Sequence, residues 1–340
     1  MKDKISVSVV VPLRNEEAYI EKCIESLLAQ DFPREQTQLI FVDGDSADRT
    51  REIIKRYIEQ WPSLISLRDN PARTVPCAMN IGIRAAAGKY IVRIDAHSEY
   101  AEDYISQCVH YLEKTGAANV GGPMRATGKS FIQSVVAAAY YSPFALGGGR
   151  FHDEKYEGWA DTVYLGAFRK EVLLAAGLFD ENFTRNQDDE LNYRIIKSGG
   201  KIFLTPQIKS LYYPRASLRK LFSQYFQYGR WKTAVIKKHG RPARPTHLAP
   251  AAFVVFLLGG GTAALVFRPL APVYAGVLAL YFLLNLFFSC TNRRAAGPAA
   301  KLLLTWVHFI LHISYGLGFI SGLPPGGGKK APAREGENRP

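Results

Sequence analysis

The chain alternates short apolar runs with stretches in which apolar residues recur every three to four positions. Residues 5–11 are apolar and rich in β-branched side chains, and Pro12 closes the run, so a buried strand is expected there. Residues 16–30 place Ile20, Cys23, Ile24, Leu27 and Leu28 on one helical face. A second buried strand at 38–42 leads straight into Asp43, Gly44, Asp45 and Ser46. Ser46 is placed to cap a helix whose apolar face is Ile53, Ile54, Tyr57 and Ile58. A short strand at 64–67, a helix at 77–87 closed by Gly88, and a strand at 90–94 ending on Asp95, Ala96 and His97 follow. Helix 104–114, strand-like 119–121 and 162–168, and a helix at 188–197 stopped by Gly199 and Gly200 complete this half. The small-residue stretch 131–150, with Gly147, Gly148 and Gly149, reads as a mobile loop.

Strands alternating with helices predict an α/β fold with a mostly parallel sheet covered on both faces. Ligands of such sheets bind beyond the carboxyl ends of the strands. Asp43 and Asp95 both fall at such ends, which makes them site candidates from position alone.

The pattern changes after residue 214. Residues 217–238 read as an amphipathic helix with Leu218, Leu221, Phe222, Tyr225, Gly229 and Ile236 on one face. Gln227, Arg230 and Trp231 share the opposite side, and the apolar face is expected to rest on a membrane or on the first spanning helix. Apolar segments 248–267, 270–290 and 299–322 are each about the ~20 residues a membrane-spanning helix needs. The expected divisions are therefore 1–214, 215–246, 247–322 and a disordered tail, 323–340.

Composition sharpens this division. The formal net charge is +13, and basic residues crowd just before the apolar region, at Arg215, Arg219, Lys220, Arg230, Lys232, Lys237, Lys238, Arg241 and Arg244. A basic run beside a span reads as a cytoplasmic anchor to acidic lipids, and no nucleic-acid partner is expected. Cys23, Cys77, Cys108 and Cys290 show no metal-type spacing and read as reduced thiols of a cytosolic domain. The first strand is too short and too β-branched for a signal peptide.

Five motifs occur in order. Residues 9–17 read Val-Val-Val-Pro-Leu-Arg-Asn-Glu-Glu, 42–48 Val-Asp-Gly-Asp-Ser-Ala-Asp, 95–97 Asp-Ala-His, 187–191 Gln-Asp-Asp-Glu-Leu and 227–231 Gln-Tyr-Gly-Arg-Trp. The series resembles family 2 glycosyltransferases of GT-A fold, and within them the membrane glucosyltransferases of the succinoglycan type. The resemblance covers residues 5–240 and implies roles for particular residues. Asp43 would accept from the base of a uracil nucleotide, although an Asx-turn explains the same residue locally. Gly44 stands where the family has a second acid. Asp95 and His97 match the family's Asp-x-Asp, which holds a divalent cation against the donor diphosphate; histidine there suits Mn²⁺ better than Mg²⁺. Asp188 matches the catalytic base, with Gln187 replacing the family's first acid. Acids in a helix's first turn also simply complement its dipole, which suffices for Asp189 and Glu190, while Arg194 is placed to orient or balance them. Gln227, Arg230 and Trp231 match a motif that contacts the donor diphosphate and the acceptor. Pro12, Arg14 and Glu16 are expected near the nucleotide, Gly166 near the acceptor, and Arg73 and Asn80 along the donor site.

The resemblance thus implies an inverting transfer from a UDP-sugar, with UDP-glucose the expected donor. The expected acceptor is a polyprenyl-diphosphate-linked sugar, and the product an exopolysaccharide intermediate. The expected place is the inner membrane, multi-pass, with the catalytic domain cytoplasmic, near other polysaccharide-assembly enzymes. A processive polysaccharide synthase shares the chemistry. An inactive membrane scaffold is the rival outside it, while a dinucleotide oxidoreductase lacks its Gly-x-Gly-x-x-Gly after the first strand.

Overall fold

The computed structural model describes residues 5–146, 149–240 and 244–323, which divide at Pro214 and Arg215 into two compact units. Gly147 and Gly148 of the expected loop, Arg241 of the basic run, and the expected tail beyond Leu323 lie outside the described residues.

In the first unit the strands are β1 (Val7–Leu13), β2 (Thr37–Asp43), β3 (Ile65–Asp69), β4 (Tyr90–Arg93), β5 (Glu99–Tyr100), β6 (Asn119–Gly122), β7 (Arg125–Ala126), β8 (Gly158–Ala160), β9 (Tyr164–Arg169), β10 (Ile202–Leu204) and β11 (Ser210–Tyr212). The helices are α1 (Ile20–Leu28), α2 (Thr50–Gln60), α3 (Val75–Ala85), α4 (Tyr104–Thr115), α5 (Phe131–Tyr140), α6 (Pro143–Leu146), α7 (Lys170–Ala175) and α8 (Gln187–Lys197). Eight strands form one sheet in the order β3-β2-β1-β4-β9-β6-β10-β8, and β5-β11-β7 form a small second one.

The half of the large sheet from β3 to β4 is parallel, as the alternation predicts. The other half is mixed, because β9 runs antiparallel to both β4 and β6. Alternate residues of β1 feed opposite faces. Val7, Val9 and Val11 pack with Ile20, Ile24, Ile54 and Tyr104, while Val10 packs with Met79, Ile83 and Leu191.

Pro12 does not end β1, since it stays in register with Val42. The last β1–β4 pair is Val10 with Arg93, so Pro12 lies past the end of β4 and its missing N–H removes no ladder bond on that side. The stretch 131–150 is not a loop in its first part. Residues 135–140 are buried in α5, and Ser130 Oγ accepts from Gln133 N to cap it. Its alanines, read as loop-like small residues, are strong helix formers.

The second unit begins with α9 (Leu218–His239), capped by Ser217 Oγ on Lys220 N. Next come α10 (Ala249–Val255), a wider π-type turn at 256–260, α11 (Gly261–Val266), α12 (Ala271–Thr291) and α13 (Pro298–Gly322). Three candidate membrane spans result: Pro245–Val266, Arg268–Thr291 and Pro298–Gly322, of mean hydropathy 2.0, 1.9 and 1.5. The partner of α9 is the third span, not the first. A Cβ on Gly229 would lie 2.0 Å from Tyr315 O, and one on Gly318 would lie 1.9 Å from Phe226 O, so α9 and α13 meet backbone to backbone. The buried positions of α9 are Leu221, Tyr225, Gly229, Lys232, Thr233 and Val235, whereas Phe222 is exposed. Cys290 departs from the reading as a thiol of the cytosolic domain, for it is exposed on α12 of the second unit, while Cys23, Cys77 and Cys108 are buried in the first.

Candidate active site

Strands β1, β2 and β4 run parallel, so the segments following them reach one edge of the sheet. Two of these segments are zipped together by side chains. Asn15 N donates to Ser46 Oγ (2.8 Å), Glu16 N to Thr50 Oγ1 (2.8 Å), Glu17 N to Asp48 Oδ2 (3.2 Å) and Ala47 N to Asn15 Oδ1 (2.9 Å). Asp48 also accepts from Thr50 N and Oγ1. Ser46 does not cap α2, which starts four residues later with no side-chain cap. Its hydroxyl serves Asp43 instead.

Asp43 ends β2 and is fully buried. Its Oδ1 accepts from Ser46 Oγ (2.5 Å), and its Oδ2 from Ser46 N (3.2 Å) and Arg51 Nη1 (2.7 Å). Arg51 reaches on to Asp69 Oδ1 at 2.8 Å. Gly44 sits against Arg14, where an added Cβ would lie 3.3 Å from Arg14 Cβ. Arg73 pairs with Asp45 beside this loop. Asn80, buried in α3, exchanges hydrogen bonds with the backbone of Phe179 and donates to Glu181. Its role is to tie α3 to the 179–181 segment.

Asp95 follows β4. Tyr100 clamps its backbone, the hydroxyl accepting from Asp95 N (2.8 Å) and donating to Asp95 O (3.0 Å). Burial first, then the nearby Asp95 charge, pushes the Tyr100 and Tyr164 phenols well above their ordinary values, so both stay neutral donors. Tyr164 lies 3.1 Å from Ser98 Oγ and supports the same turn. His97 leaves 47% of its side chain exposed and meets Glu16 Oε1 at 3.1 Å through Nδ1. Asp95 and His97 thus follow β4 as one carboxylate and one imidazole, donor types that divalent cations such as Mn²⁺ accept, with Asp95 Oδ1 also on Arg93 and His97 Nδ1 on Glu16. Among the described residues no group of three or more His, Cys, Asp or Glu side chains is placed to hold a metal by itself.

Arg93 joins Asp95 to Asp188. Its Nε and Nη2 lie 3.3 and 3.2 Å from Asp95 Oδ1, and its Nη1 lies 2.5 Å from Asp188 Oδ1. Burial opposes the Arg93 charge, but the two carboxylates outweigh it and raise its pKa. The Asp188 carboxyl is raised above the usual carboxylate range, by burial first. Arg93 opposes the rise, and Asp95 and Asp189 add to it. The Asp188 side chain remains 38% open, so solvent tempers the effect without reversing it. Sequence reading missed Arg93, although a lone cation within the buried run Tyr90–Arg93, two residues before Asp95, was the available signal.

The neighbours of Asp188 have other duties. Glu190 is fully buried and pairs with Arg194 (2.7 Å), which also donates to the carbonyls of Ala176 and Leu178. This pair fastens α8 to the preceding loop. Gly166, at φ +95°, belongs to the irregular β6–β9 pairing. A Cβ there would strike Asn119 Oδ1 at 2.7 Å and the Phe168 ring at 2.9 Å, so packing alone requires glycine. Gln227, Arg230 and Trp231 lie on α9 in the second unit, each half-buried.

The description "Glycosyl transferase family 2" belongs to the family model that matches residues 8–173. The succinoglycan biosynthesis protein ExoA of Rhizobium meliloti is 33% identical over 319 residues, 92% of this chain and 93% of that protein. The dolichyl N-acetyl-alpha-D-glucosaminyl phosphate 3-beta-D-2,3-diacetamido-2,3-dideoxy-beta-D-glucuronosyltransferase of Methanococcus voltae is 30% identical over 239 residues, 68% of this chain and 74% of that protein. Among solved structures, the mannosyltransferase PcManGT of Pyrobaculum calidifontis, in complex with GDP-Man and Mn²⁺, has a TM-score of 0.64 at 21% identity, covering 92% of this chain and 86% of that one. At that identity the likeness is one of fold.

Proposed function

We propose a mechanism from the premise that this chain belongs to glycosyl transferase family 2, has the GT-A fold and is a glycosyltransferase, with relatives in polysaccharide and glycan synthesis. The finer reading is an inverting transfer from a UDP-sugar, UDP-glucose first among them, to a sugar linked to a membrane polyprenyl diphosphate. The observation that carries it is Asp188, a partly open carboxylate of raised proton affinity, held one guanidinium away from Asp95.

In this reading Asp188 takes the proton of the acceptor hydroxyl. The acceptor oxygen bonds to the anomeric carbon on one face. The bond from that carbon to the β-phosphate oxygen breaks on the other, and its electron pair leaves with UDP. Asp95 and His97 would hold a divalent cation, Mn²⁺ or Mg²⁺, which when bound supplies positive charge against the diphosphate. Asp43 is assigned to the base of the nucleotide, which requires Ser46 or Arg51 to yield one of its oxygens. Pro12, Arg14 and Glu16 flank that site, and Gln227, Arg230 and Trp231 are assigned to donor diphosphate and acceptor. The three candidate spans support a lipid-linked acceptor and a place in the inner membrane, with the catalytic unit cytoplasmic. The name of the Methanococcus voltae relative, which specifies a dolichyl-linked acceptor, supports the same class.

Membranes containing the protein, given a panel of labelled nucleotide sugars with and without EDTA and then extracted for lipid, test this. Label from a UDP-sugar is expected in the lipid phase, and EDTA should abolish it. Transfer from GDP-sugars alone would remove the uracil assignment, and label confined to water-soluble product would remove the lipid acceptor.

A further inference from the structure

We propose that Arg93 is a positioning residue that sets the base Asp188 relative to Asp95, so that one buried guanidinium aligns the two carboxylates of the reaction. The proposal rests on Asp188 being the base. Arg93 and Asp95 stand two residues apart, and the pleat of an extended chain turns such residues to the same side. Asp188 arrives from α8, 95 positions later in the chain. Arg93 meets Asp95 through Nε and Nη2 and meets Asp188 through Nη1. A guanidinium is planar with donors on fixed edges, so seating it on Asp95 fixes the direction it offers Asp188. Its side chain is only 8% exposed, which keeps water from competing for these edges.

Other arginines of this unit show what a fastening role looks like. Arg194 donates to the carbonyls of Ala176 and Leu178, and Arg169 to those of Leu112 and Ala117. Arg93 is held by carboxylates alone among the described residues, and one of them, Asp188, is 38% open. Without Arg93 the two acids would face each other uncompensated and draw apart. A shift of about 1 Å at a reacting group costs roughly 10²-fold in rate.

The test is Arg93→Lys in the full-length protein in membranes. Lysine keeps the charge but has no planar fork. The expected result is a kcat lower by roughly 10²-fold at saturating donor. Affinity for UDP with Mn²⁺ should stay within about threefold of wild type, because both variants keep a cation beside Asp95. Wild-type kcat in Arg93→Lys would reduce Arg93 to charge balance and overturn the proposal. So would a loss confined to UDP affinity. Should Arg93→Lys fail to fold, Arg93→Met combined with Asp188→Asn, which removes the repelling charge, decides. It is expected to bind UDP as Asp188→Asn alone does, and a further loss beyond about tenfold would place Arg93 in the donor site itself, since a factor of ten is one direct interaction of about 1.4 kcal/mol. An active Asp188→Asn would sink the base assignment. A dead Asp188→Asn beside a fully active Arg93→Lys would sink only the inference about Arg93.

Discussion

Acids of one chemical type do four kinds of work here, and their surroundings decide which. Glu190 is sealed under Arg194, Asp48 binds backbone and hydroxyl donors, Asp43 is wrapped by Ser46 and Arg51, and Asp188 keeps an open side. Asp188→Asn should therefore lower transfer by at least about 10²–10⁴-fold, since the amide cannot accept a proton at neutral pH. UDP affinity should change little, and rate and affinity measured together check this. Asp189→Asn should be milder than Asp188→Asn, because the favourable charge that Asp189 adds to the first helical turn is worth roughly 0.3–1 kcal/mol. Asp43→Asn should lower UDP affinity and also weaken the fold by about 1–3 kcal/mol, because it leaves the Arg51 contact poorly satisfied. The raised Asp188 carboxyl also sets a pH dependence. With Asp188 as the proposed base, its ionised form is the active one, so activity is expected to fall as pH drops through its pKa. Since that pKa is raised, the acid limb of kcat should lie above the ordinary aspartate value of about 3.9. A limb at or below that value would contradict the reading.

At the scale of elements, close packing decides more than pattern. Of the amphipathic face read for α9, Leu221, Tyr225 and Gly229 are buried while Phe222 is exposed, and Gly229 meets the α13 backbone directly. Gly318 and Gly322 of α13 do the same toward Phe226, Arg230 and Thr233. Gly318→Val should force the two helices apart and cost at least about 1–3 kcal/mol, read as a lower thermal midpoint in detergent. An unchanged midpoint would refute the backbone contact. Between α12 and α13, Asn285 donates to Thr305 O (3.0 Å) and accepts at His308 Nδ1 (2.8 Å), and Tyr281 meets His312 (2.9 Å). Polar side chains inside spans therefore meet one another across the helix pair.

For the whole molecule, the charges that flank the three candidate spans predict an orientation. Basic residues precede the first span, Arg293 and Arg294 lie between the second and third, and Lys301 stands in the first turn of the third. The positive-inside rule puts both regions in the cytoplasm, with Arg268 outside. Three crossings then place a tag fused after Pro340 outside, against the pull of Lys329, Lys330, Arg334 and Arg339. Protease protection of that tag in sealed vesicles checks the count, and a cytoplasmic tag would remove one crossing. The product is expected to carry one added sugar per acceptor, and long polymer made by the purified protein would favour the processive alternative.

The sequence alone determined the α/β order, the family, the three apolar spans and the acids at the strand ends, because these are written in local periodicity and short contiguous motifs. The tertiary structure decided what those acids touch. Arg93 lies 95 positions from Asp188, Arg51 bridges β2 to β3, and Ser46 turns to Asp43 rather than capping α2. It also decided that the third span is the one that covers α9. Each of these depends on which strands become neighbours and how closely backbones approach. No local pattern encodes that, since a salt bridge or a glycine contact across the fold leaves no period in the chain.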